Sequence, residues 1–311
     1  MIESILIIIG LVLLYYGAEW LVGGGASLAV KAGVTPLVVG LTVVAFGTSC
    51  PELVVSVDAA LGHHGEISIG NIVGSNIFNI AFILGLSAMI RPLKVQMQLI
   101  RFDTPIMIAA SVLFIIFFLD KTISRMEALI LFAGILAYTV SVVRMARKEV
   151  KKNRDDGIAG DVPEYCLEVC VFFIIAGLTA LVVGARVFVE GSVMIAQNFK
   201  ISEAVIGLTI VAAGTSLPEL ATSVVAAAKN QSEISIGNIV GSNIFNILCI
   251  IGIAGIISPI CAPGISSVDL GMMLATAVLL FPLMRTGFVI NRIEGFALVS
   301  IYLGYLWYLC S

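Results

Sequence analysis

The chain carries little charge for its length. Asp, Glu, Lys and Arg make up only 12% of its 311 residues, about half the fraction of an ordinary soluble domain. The formal net charge is −3, so the chain lacks the strongly basic character that nucleic-acid binding requires. We therefore expect no nucleic-acid partner.

Histidine is almost absent, and cysteine has no metal-site spacing. The two histidines, His63 and His64, are adjacent in a short polar stretch. We expect both to be solvated there and not to form a metal site. The six cysteines lie mostly in apolar runs, where Cys behaves as a small hydrophobic residue. No nucleophile–histidine pair and no phosphate-binding loop is visible. The sequence therefore predicts a protein that is not an enzyme and has no cofactor.

Apolar residues fill almost the whole chain. They make up 59% of it, and the mean hydropathy is +1.11. Residues 67–90 and 234–268 contain no charged side chain, and about 20 apolar residues suffice to cross a bilayer. The first stretch, 2–30, has no basic residue before its apolar run and is expected to be a retained helix. The chain is therefore predicted to be an integral membrane protein with the lipid bilayer as its surroundings.

The apolar runs predict an all-α membrane protein with ten transmembrane helices. The helices are expected at 3–30, 35–61, 67–89, 99–119, 124–147, 163–196, 202–228, 234–257, 267–284 and 292–310. Residues 148–162 form the one strongly polar run. They divide the chain into a first half, 1–147, and a second half, 163–311, with five helices each.

Two phrases occur once in each half. Residues 66–80 and 233–247 both read EISIGNIVGSNIFNI, an identity over fifteen positions at a shift of 167 residues. At the same shift, residues 40–53 match residues 207–220 at eleven of fourteen positions. Such a doubled apolar element is typical of a repeat-built transporter whose site lies between the halves.

The odd number of helices per repeat predicts that the halves are inverted. With five helices each, the second half enters the membrane from the side opposite to the first. If the linker 148–162 is cytoplasmic, thirteen of the seventeen Lys and Arg residues lie on the cytoplasmic side, as the positive-inside rule favours. Both termini are then external. Separately, nothing in the sequence points to an obligate protein partner, and we expect none.

The phrase GTSCPE, at residues 47–52, predicts a helix break beside a carboxylate. Pro51 has no N–H to bond the carbonyl of Gly47, and its ring disfavours helical geometry at Cys50. We therefore expect the carbonyls of residues 45–48 to lack partners, which a membrane tolerates only inside protein or beside a wet cavity. Glu52 is costly there unless it has a partner. Free carbonyls, hydroxyls and a carboxylate form an oxygen set suited to Ca²⁺ or Na⁺.

The second half repeats this arrangement in residues 214–219, GTSLPE. An ordinary proline kink would not explain why a Glu directly follows each proline, Glu52 in the first half and Glu219 in the second. The other phrase adds neutral oxygen donors on one helix face, because Asn71, Ser75 and Asn79 are spaced by four residues. The same spacing recurs at Asn238, Ser242 and Asn246. Asn71 and Asn238 could instead serve only interhelical hydrogen bonds.

The paired phrases GTSxPE and GNxxGSNxxN resemble the two alpha repeats of the cation/Ca²⁺ exchanger superfamily, most closely the short prokaryotic sodium/calcium exchangers. This resemblance implies a diamond of four cation sites at mid-membrane in a prokaryotic inner membrane, with Ca²⁺ and Na⁺ as the transported partners. It implies carboxylate ligands at Glu52 and Glu219, and hydroxyl or carbonyl ligands at Thr48, Thr215, Ala45, Ala212, Ser49 and Ser216. It also implies Na⁺ ligands at Ser75 and Ser242 and a middle position formed by Asn79 and Asn246.

The expected function is Na⁺/Ca²⁺ antiport. Asn246 stands where some relatives carry Asp, so we expect no third titrating group in the cavity and no K⁺ co-transport. Gly74-Ser75-Asn76 lacks the acid that proton-coupled relatives usually carry, which favours Na⁺ over H⁺. The resemblance implies three Na⁺ per Ca²⁺ and a sliding pair formed by helices 1 and 6. Small residues on those helices, such as Gly24 and Gly184, also fit ordinary tight packing. A proton-coupled cation antiporter and a passive channel remain the alternatives.

Overall fold

The computed structural model describes residues 2–155, 166–198 and 212–310, which are almost entirely helical. In chain order the helices are α1 (Ile2–Ala32), α2 (Pro36–Thr48), α3 (Cys50–Leu61), α4 (Gly65–Ile90), α5 (Leu99–Asp120), α6 (Arg125–Asp155), α7 (Leu167–Asn198), α8 (Ala212–Gly214), α9 (Leu217–Ala228), α10 (Ser232–Ile257), α11 (Ser267–Arg285) and α12 (Arg292–Cys310). Four two-residue strands are β1 (Leu93–Lys94), β2 (Thr122–Ile123), β3 (Ile260–Cys261) and β4 (Val289–Ile290).

The protein is a helical membrane protein. Seven helices in the described part are long and apolar enough to cross a membrane, namely α1, α4, α5, α6, α7, α10 and α11. The pair α2 and α3 forms an eighth candidate, bent by 46° at its break. Of the predicted seventh helix, residues 202–211 lie outside the described residues.

Helices α4 and α10 form the centre of the bundle. In their most apolar windows 78% and 89% of the residues are buried, against 28–39% in the other spanning helices. The outer helices expose large apolar side chains such as Ile8, Leu129 and Phe172. An exposed apolar surface of this extent is stable only against lipid or another apolar surface. The repeated polar phrase of α4 and α10 therefore lies in the most enclosed part of the protein.

Helices α1 and α7 pack against each other through glycines. A Cβ atom placed on Gly17 would lie 2.9 Å from the carbonyl oxygen of Gly177, and one on Gly177 would lie 2.7 Å from that of Gly17. Glycine at such positions lets two helix backbones approach closely. Leu14, Leu21 and Leu181 bury their side chains in an apolar cluster at this interface. Tight packing between these two helices is thus present.

The four short strands connect loops from distant parts of the chain. β1 pairs with β4, and β2 pairs with β3, both antiparallel. Each pair joins a loop that follows a helix of residues 1–147 to a loop from residues 212–310. These pairings were not predicted from the sequence, because two-residue strands leave no periodic pattern to detect.

Among the described helices, the end of α6 differs most from the prediction. Helix α6 continues to Asp155, whereas the apolar pattern predicts an end at residue 147 and a polar linker from residue 148. The run KEVKKNRD contains residues that favour or tolerate a helix, and no Gly or Pro occurs before Gly157. Polarity therefore marked the end of the apolar span but not the end of the helix.

Candidate functional site

The first helix break lies at Ser49. Helix α2 ends at Thr48, Ser49 adopts φ −82° and ψ 7°, and α3 begins at Cys50. Pro51 thus lies in the first turn of a new helix, where its missing N–H costs nothing. The predicted break is present, but the expectation that Cys50 departs from helical geometry was wrong, because Ser49 takes the irregular conformation instead.

The second break has the same geometry. Ser216 adopts φ −92° and ψ 9° between α8 and α9. Pro218 again lies in the first turn of the following helix, and Glu219 comes directly after it. The two sequences differ only at Cys50 and Leu217 and therefore produce similar backbone turns. Residues 199–211, before α8, lie outside the described part.

Both predicted carboxylates are buried in the first turn of a helix. Glu52 and Glu219 are each only 1% exposed. The N-terminal end of a helix favours negative charge, yet a buried carboxylate remains costly without a positive partner. Among the described residues, no Lys or Arg forms a salt bridge with either one. The arrangement is therefore suited to an exogenous cation.

Each carboxylate is held by a serine of the opposite break. The Ser49 hydroxyl donates to Oε1 of Glu219 at 2.9 Å. The Ser216 hydroxyl donates to Oε1 of Glu52 at 2.8 Å and lies 3.1 Å from Oγ of Ser75. Hydrogen bonds to an ionised acceptor are among the stronger ones in proteins. The two breaks therefore form one site.

The side-chain amides of Asn71 and Asn238 form hydrogen bonds to the helices that follow the two breaks. Nδ2 of Asn71 donates to the backbone oxygen of Glu52 at 3.3 Å and to Oγ of Ser56 at 3.0 Å. Nδ2 of Asn238 donates to the backbone oxygen of Glu219 at 3.4 Å, and to Ser223 at 2.9 Å. Both asparagines thus make interhelical hydrogen bonds, which is one of the two roles that the sequence allowed.

The predicted threonines lie where the halves meet. Oγ1 of Thr48 donates to Oδ1 of Asn238 at 3.1 Å, and Oγ1 of Thr215 donates to Oδ1 of Asn71 at 3.4 Å. Thr48 also lies 3.3 Å from the carbonyl oxygen of Ala45. Each threonine therefore connects its own break to the central helix of the other half.

The carbonyl of Ala45 is not without partners, contrary to expectation. It accepts a hydrogen bond from the N–H of Ser49 at 3.1 Å, and the hydroxyl oxygen of Thr48 lies 3.3 Å away. The turn at Ser49 keeps this bond because only the N–H of Pro51 is missing, two residues later. Its counterpart Ala212 is the first residue of α8.

Four asparagines connect α4 and α10 at the centre. Nδ2 of Asn246 donates to Oδ1 of Asn76 at 2.9 Å, and Nδ2 of Asn79 donates to Oδ1 of Asn243 at 3.2 Å. Asn79 and Asn246 lie in π-helical segments, Phe78–Leu84 and Phe245–Ile250. Short π-helical segments are frequent at functional sites. The roles of Asn76 and Asn243 were not predicted from the sequence, although both residues belong to the repeated phrase.

Five buried side-chain oxygens at this centre have no hydrogen-bond partner within the described part of the chain. They are Oε2 of Glu52, Oε2 of Glu219, Oδ1 of Asn79, Oδ1 of Asn246 and Oγ of Ser242. An unpartnered buried polar atom is costly and calls for an explanation. All five are oxygens and two carry carboxylate charge, which is the donor set of hard cations such as Ca²⁺ and Na⁺.

The sequence also matches that of a known family. The chain fits the sodium/calcium exchanger protein family over residues 3–144 and 169–311, which covers most of its length. The protein therefore belongs to this family of membrane transporters.

Named relatives agree with this assignment. The putative antiporter CaxA of Alkalimonas amylolytica is 35% identical, with 100% of this chain and 99% of the relative covered. The sodium/calcium exchanger MaX1 of Methanosarcina acetivorans is 32% identical over 98% and 97% of the two chains. The inner membrane protein YrbG of Escherichia coli is 35% identical over 83% and 81%.

A solved structure has the same fold. The sodium–calcium exchanger NCX_Mj, soaked with 2.5 mM Na⁺ and 0.1 mM Ca²⁺, matches with a TM-score of 0.84 at 32% identity. The match covers 98% of each chain. The likeness therefore extends over the whole bundle and beyond the two phrases.

Proposed function

We propose that this protein is a secondary active antiporter that exchanges Na⁺ for Ca²⁺ by alternating access, and that it has no enzymatic activity. The observation that carries this proposal is the set of five buried oxygens, two of them on Glu52 and Glu219, that have no hydrogen-bond partner among the described residues. Membership of a transporter family supports it, as do the names of MaX1 and NCX_Mj. A proton-coupled antiporter finds no such support among these relatives.

The cation ligands are the side chains and carbonyls that converge at the two breaks and at the asparagines between them. We assign the role to Glu52, Glu219, Thr48, Thr215, Ala45, Ala212, Ser49, Ser216, Ser75, Ser242, Asn79 and Asn246. The two carboxylates and the amides of Asn79 and Asn246 are the strongest members, because each is buried and has one side-chain oxygen without a protein partner in the described part. The carbonyl of Ala45 already accepts the N–H of Ser49, which leaves one lone pair for a cation.

Charge explains why the two ions exclude each other. Two carboxylates balance one dehydrated Ca²⁺, whereas several Na⁺ ions would occupy the same oxygens. Because like charges repel strongly in a low-dielectric interior, the site holds either Ca²⁺ or its full set of Na⁺. If three Na⁺ exchange for one Ca²⁺, each cycle moves one net charge. A membrane potential then contributes about 2.3 kcal/mol per 100 mV to the cycle.

Ten crossings explain the pairing of the short strands. Paired strands lie on one side of the membrane, so an even number of crossings must separate them. Between β1 and β4 lie five of the apolar helices, α5, α6, α7, α10 and α11, and between β2 and β3 lie three of them, α6, α7 and α10. Helix α9 lies between the strands of both pairs. If it belongs to one further crossing, the counts become six and four, which are both even. Counting α2 with α3 as one crossing and adding α12 gives ten.

This topology divides the chain into two inverted halves, 1–147 and 163–311, joined by residues 148–162. The excess of basic residues on the linker's side supports a cytoplasmic linker and external termini. The relative YrbG is named as an inner membrane protein, which supports the inner membrane of a prokaryotic cell as the location.

Transport by purified protein in liposomes tests the coupling ion. Proteoliposomes loaded with Na⁺ and diluted into Na⁺-free buffer should take up ⁴⁵Ca²⁺, and liposomes loaded with choline should not. Uptake that ignores internal Na⁺ but follows a pH gradient would make the protein a proton-coupled antiporter. Passive flux far above carrier turnover, with no counter-ion requirement, would make it a channel.

A further inference from the structure

Two buried serines lie beside the proposed cation site, at equivalent places in the repeats. Ser56 is in α3 and Ser223 is in α9, each four residues after the glutamate of its own break. Both side chains are 0% exposed, and neither is among the cation ligands assigned above. A buried hydroxyl needs a hydrogen-bond partner, and in both cases this partner is an asparagine of a central helix.

The first series of hydrogen bonds, called here the Ser223 network, runs from Ser223 through Asn238 to Thr48. Oγ of Ser223 accepts from Nδ2 of Asn238 at 2.9 Å. Oδ1 of the same amide accepts the hydroxyl proton of Thr48 at 3.1 Å. All three side chains are 0% exposed. The network therefore connects the helix after one break to the threonine of the other break.

The second series, called here the Ser56 network, repeats the first with the halves exchanged. Oγ of Ser56 accepts from Nδ2 of Asn71 at 3.0 Å, and Oδ1 of Asn71 accepts the hydroxyl proton of Thr215 at 3.4 Å. The two networks share no residue. Each one thus ends at a single threonine, and that threonine belongs to the half opposite to the serine.

A backbone carbonyl fixes the orientation of each asparagine amide. Nδ2 of Asn238 also lies 3.4 Å from the backbone oxygen of Glu219, which can only accept a hydrogen bond. The amide nitrogen therefore faces Ser223 and Glu219, and the amide oxygen faces Thr48. Because this oxygen is also only an acceptor, the one hydroxyl proton of Thr48 points to it. The lone pairs of that hydroxyl remain available to a cation.

We propose that Ser56 and Ser223 are positioning residues for cation binding, and that each acts through an asparagine on the threonine of the opposite half. This inference rests on the proposed function, since it concerns the same cation site. Without the hydroxyl of Ser223, the amide nitrogen of Asn238 keeps only its longer bond to the backbone. The amide can then turn its N–H groups toward Thr48, whose proton must turn elsewhere. A threonine proton that points to the cation repels it, so the affinity falls.

Ca²⁺ titration of the purified full-length protein, by calorimetry in Na⁺-free buffer, tests this role. S223A and S56A should each raise the Kd for Ca²⁺ about three- to tenfold, as the loss of one buried hydrogen bond would do. The matched control is S235A, because Ser235 is also 0% exposed and donates to the backbone oxygen of Ser223 at 2.9 Å. S235A removes a buried bond between the same helices but keeps the acceptor of Asn238. It should lower the melting temperature as S223A does and leave the Kd unchanged.

Double-mutant cycles distinguish positioning from a general loss of packing. S223A and T48V should have non-additive effects on the Kd, because both change the bonds of one amide, whereas S223A and T215V should be additive. S56A should show the converse pattern, with coupling to T215V and none to T48V. A merely structural serine would not select the threonine of one network over that of the other.

Two outcomes would overturn the proposal. One is a Kd for Ca²⁺ in S223A and S56A that equals the Kd of the parent. The other is coupling of S223A to both threonines by the same amount. Failure of the proposed function would give a different result, because Ca²⁺ would still bind but Na⁺ would neither displace it nor drive its uptake. The Kd is measured without transport, so the two questions are decided separately.

Discussion

Ser49 and Glu219 are 170 residues apart in the chain, yet the hydroxyl of Ser49 donates to Oε1 of Glu219 at 2.9 Å. The converse bond joins Ser216 to Glu52 at 2.8 Å. Each helix break therefore depends on the opposite one for the orientation of its carboxylate. A cation bound between the two carboxylates, as proposed, would contact both halves of the protein at once.

Loss of either serine hydroxyl should weaken Ca²⁺ transport without abolishing folding. S49A and S216A each remove a hydrogen bond to a carboxylate, worth roughly 1.5–3 kcal/mol. The apparent affinity for Ca²⁺, measured from the concentration dependence of ⁴⁵Ca²⁺ uptake, should fall by about tenfold or more. The matched control is S300A, because the Ser300 hydroxyl donates within α12, to the carbonyl of Phe296, and has no other hydrogen bond among the described residues. Variants at Ser49 and Ser216 that behave like S300A would argue against this role.

Asn76 should act on transport through Asn246. Oδ1 of Asn76 accepts a hydrogen bond from Nδ2 of Asn246 at 2.9 Å. This bond fixes the orientation of the Asn246 amide, whose Oδ1 has no partner in the described part. The effects of N76A and N246A on Ca²⁺ affinity should therefore be non-additive. Residues in one hydrogen-bond network typically show a coupling energy of about 0.5–3 kcal/mol.

A double-mutant cycle measures this coupling. The single variants, the double variant and the parent are compared in the same uptake assay, and N76A combined with S300A serves as an unconnected pair. Additive effects of N76A and N246A would show that Asn76 does not position the amide of Asn246.

A tyrosine–aspartate bond occurs in both halves and should matter most where it is buried. Tyr138 donates to Oδ1 of Asp103 at 3.1 Å, and Tyr305 donates to Oδ1 of Asp269 at 2.7 Å. Asp103 is fully buried, and its remaining side-chain hydrogen bond comes from Gln98. Asp269 is also part of a capping box at the start of α11.

Y138F should therefore lower the melting temperature more than Y305F. Removal of a partner from a buried acceptor costs about 1–3 kcal/mol, whereas Asp269 is only partly buried and keeps its bonds with Ser266. Thermal unfolding of the two variants in one detergent makes the comparison. Equal melting temperatures would contradict a dominant role of burial.

Packing between α1 and α7 should tolerate no side chain at Gly177. In G177A, the new Cβ would lie 2.7 Å from the carbonyl oxygen of Gly17, and overpacking of this kind costs roughly 1–3 kcal/mol. G23A is the control, because a Cβ atom at Gly23 meets nothing within 4 Å and Ala favours a helix over Gly. The melting temperature should fall in G177A and stay level or rise in G23A. A stable G177A would contradict close backbone contact.

Much of the fold followed from composition and repetition. Long apolar runs predicted most spanning helices to within a few residues, and the doubled prolines predicted the break that the structure places at Ser49. The irregular residue was expected to be Cys50 but is Ser49. The sequence could not decide between the two, because proline is as well suited to the first turn of a helix as to a kink.

The centre of the site could be predicted only in part. The sequence indicated Glu52 and Glu219 because carboxylates are conspicuous in apolar surroundings. It did not indicate Asn76 or Asn243, since their partners are on another helix and hydrogen bonds across the repeats leave no local pattern. The π-helical segments around Asn79 and Asn246 were also missed, because an added residue in one turn changes the helix period only locally.

The most direct test of the account is Na⁺-driven ⁴⁵Ca²⁺ uptake by E52Q and E219Q beside the parent and E19Q. Glu19 is also a helix carboxylate, but it is partly exposed and bonds Lys229 at 2.6 Å, a pair expected to contribute little. We expect uptake to vanish in E52Q and E219Q and to persist in E19Q. Uptake that persists in both E52Q and E219Q would contradict a shared two-carboxylate site for Na⁺ and Ca²⁺.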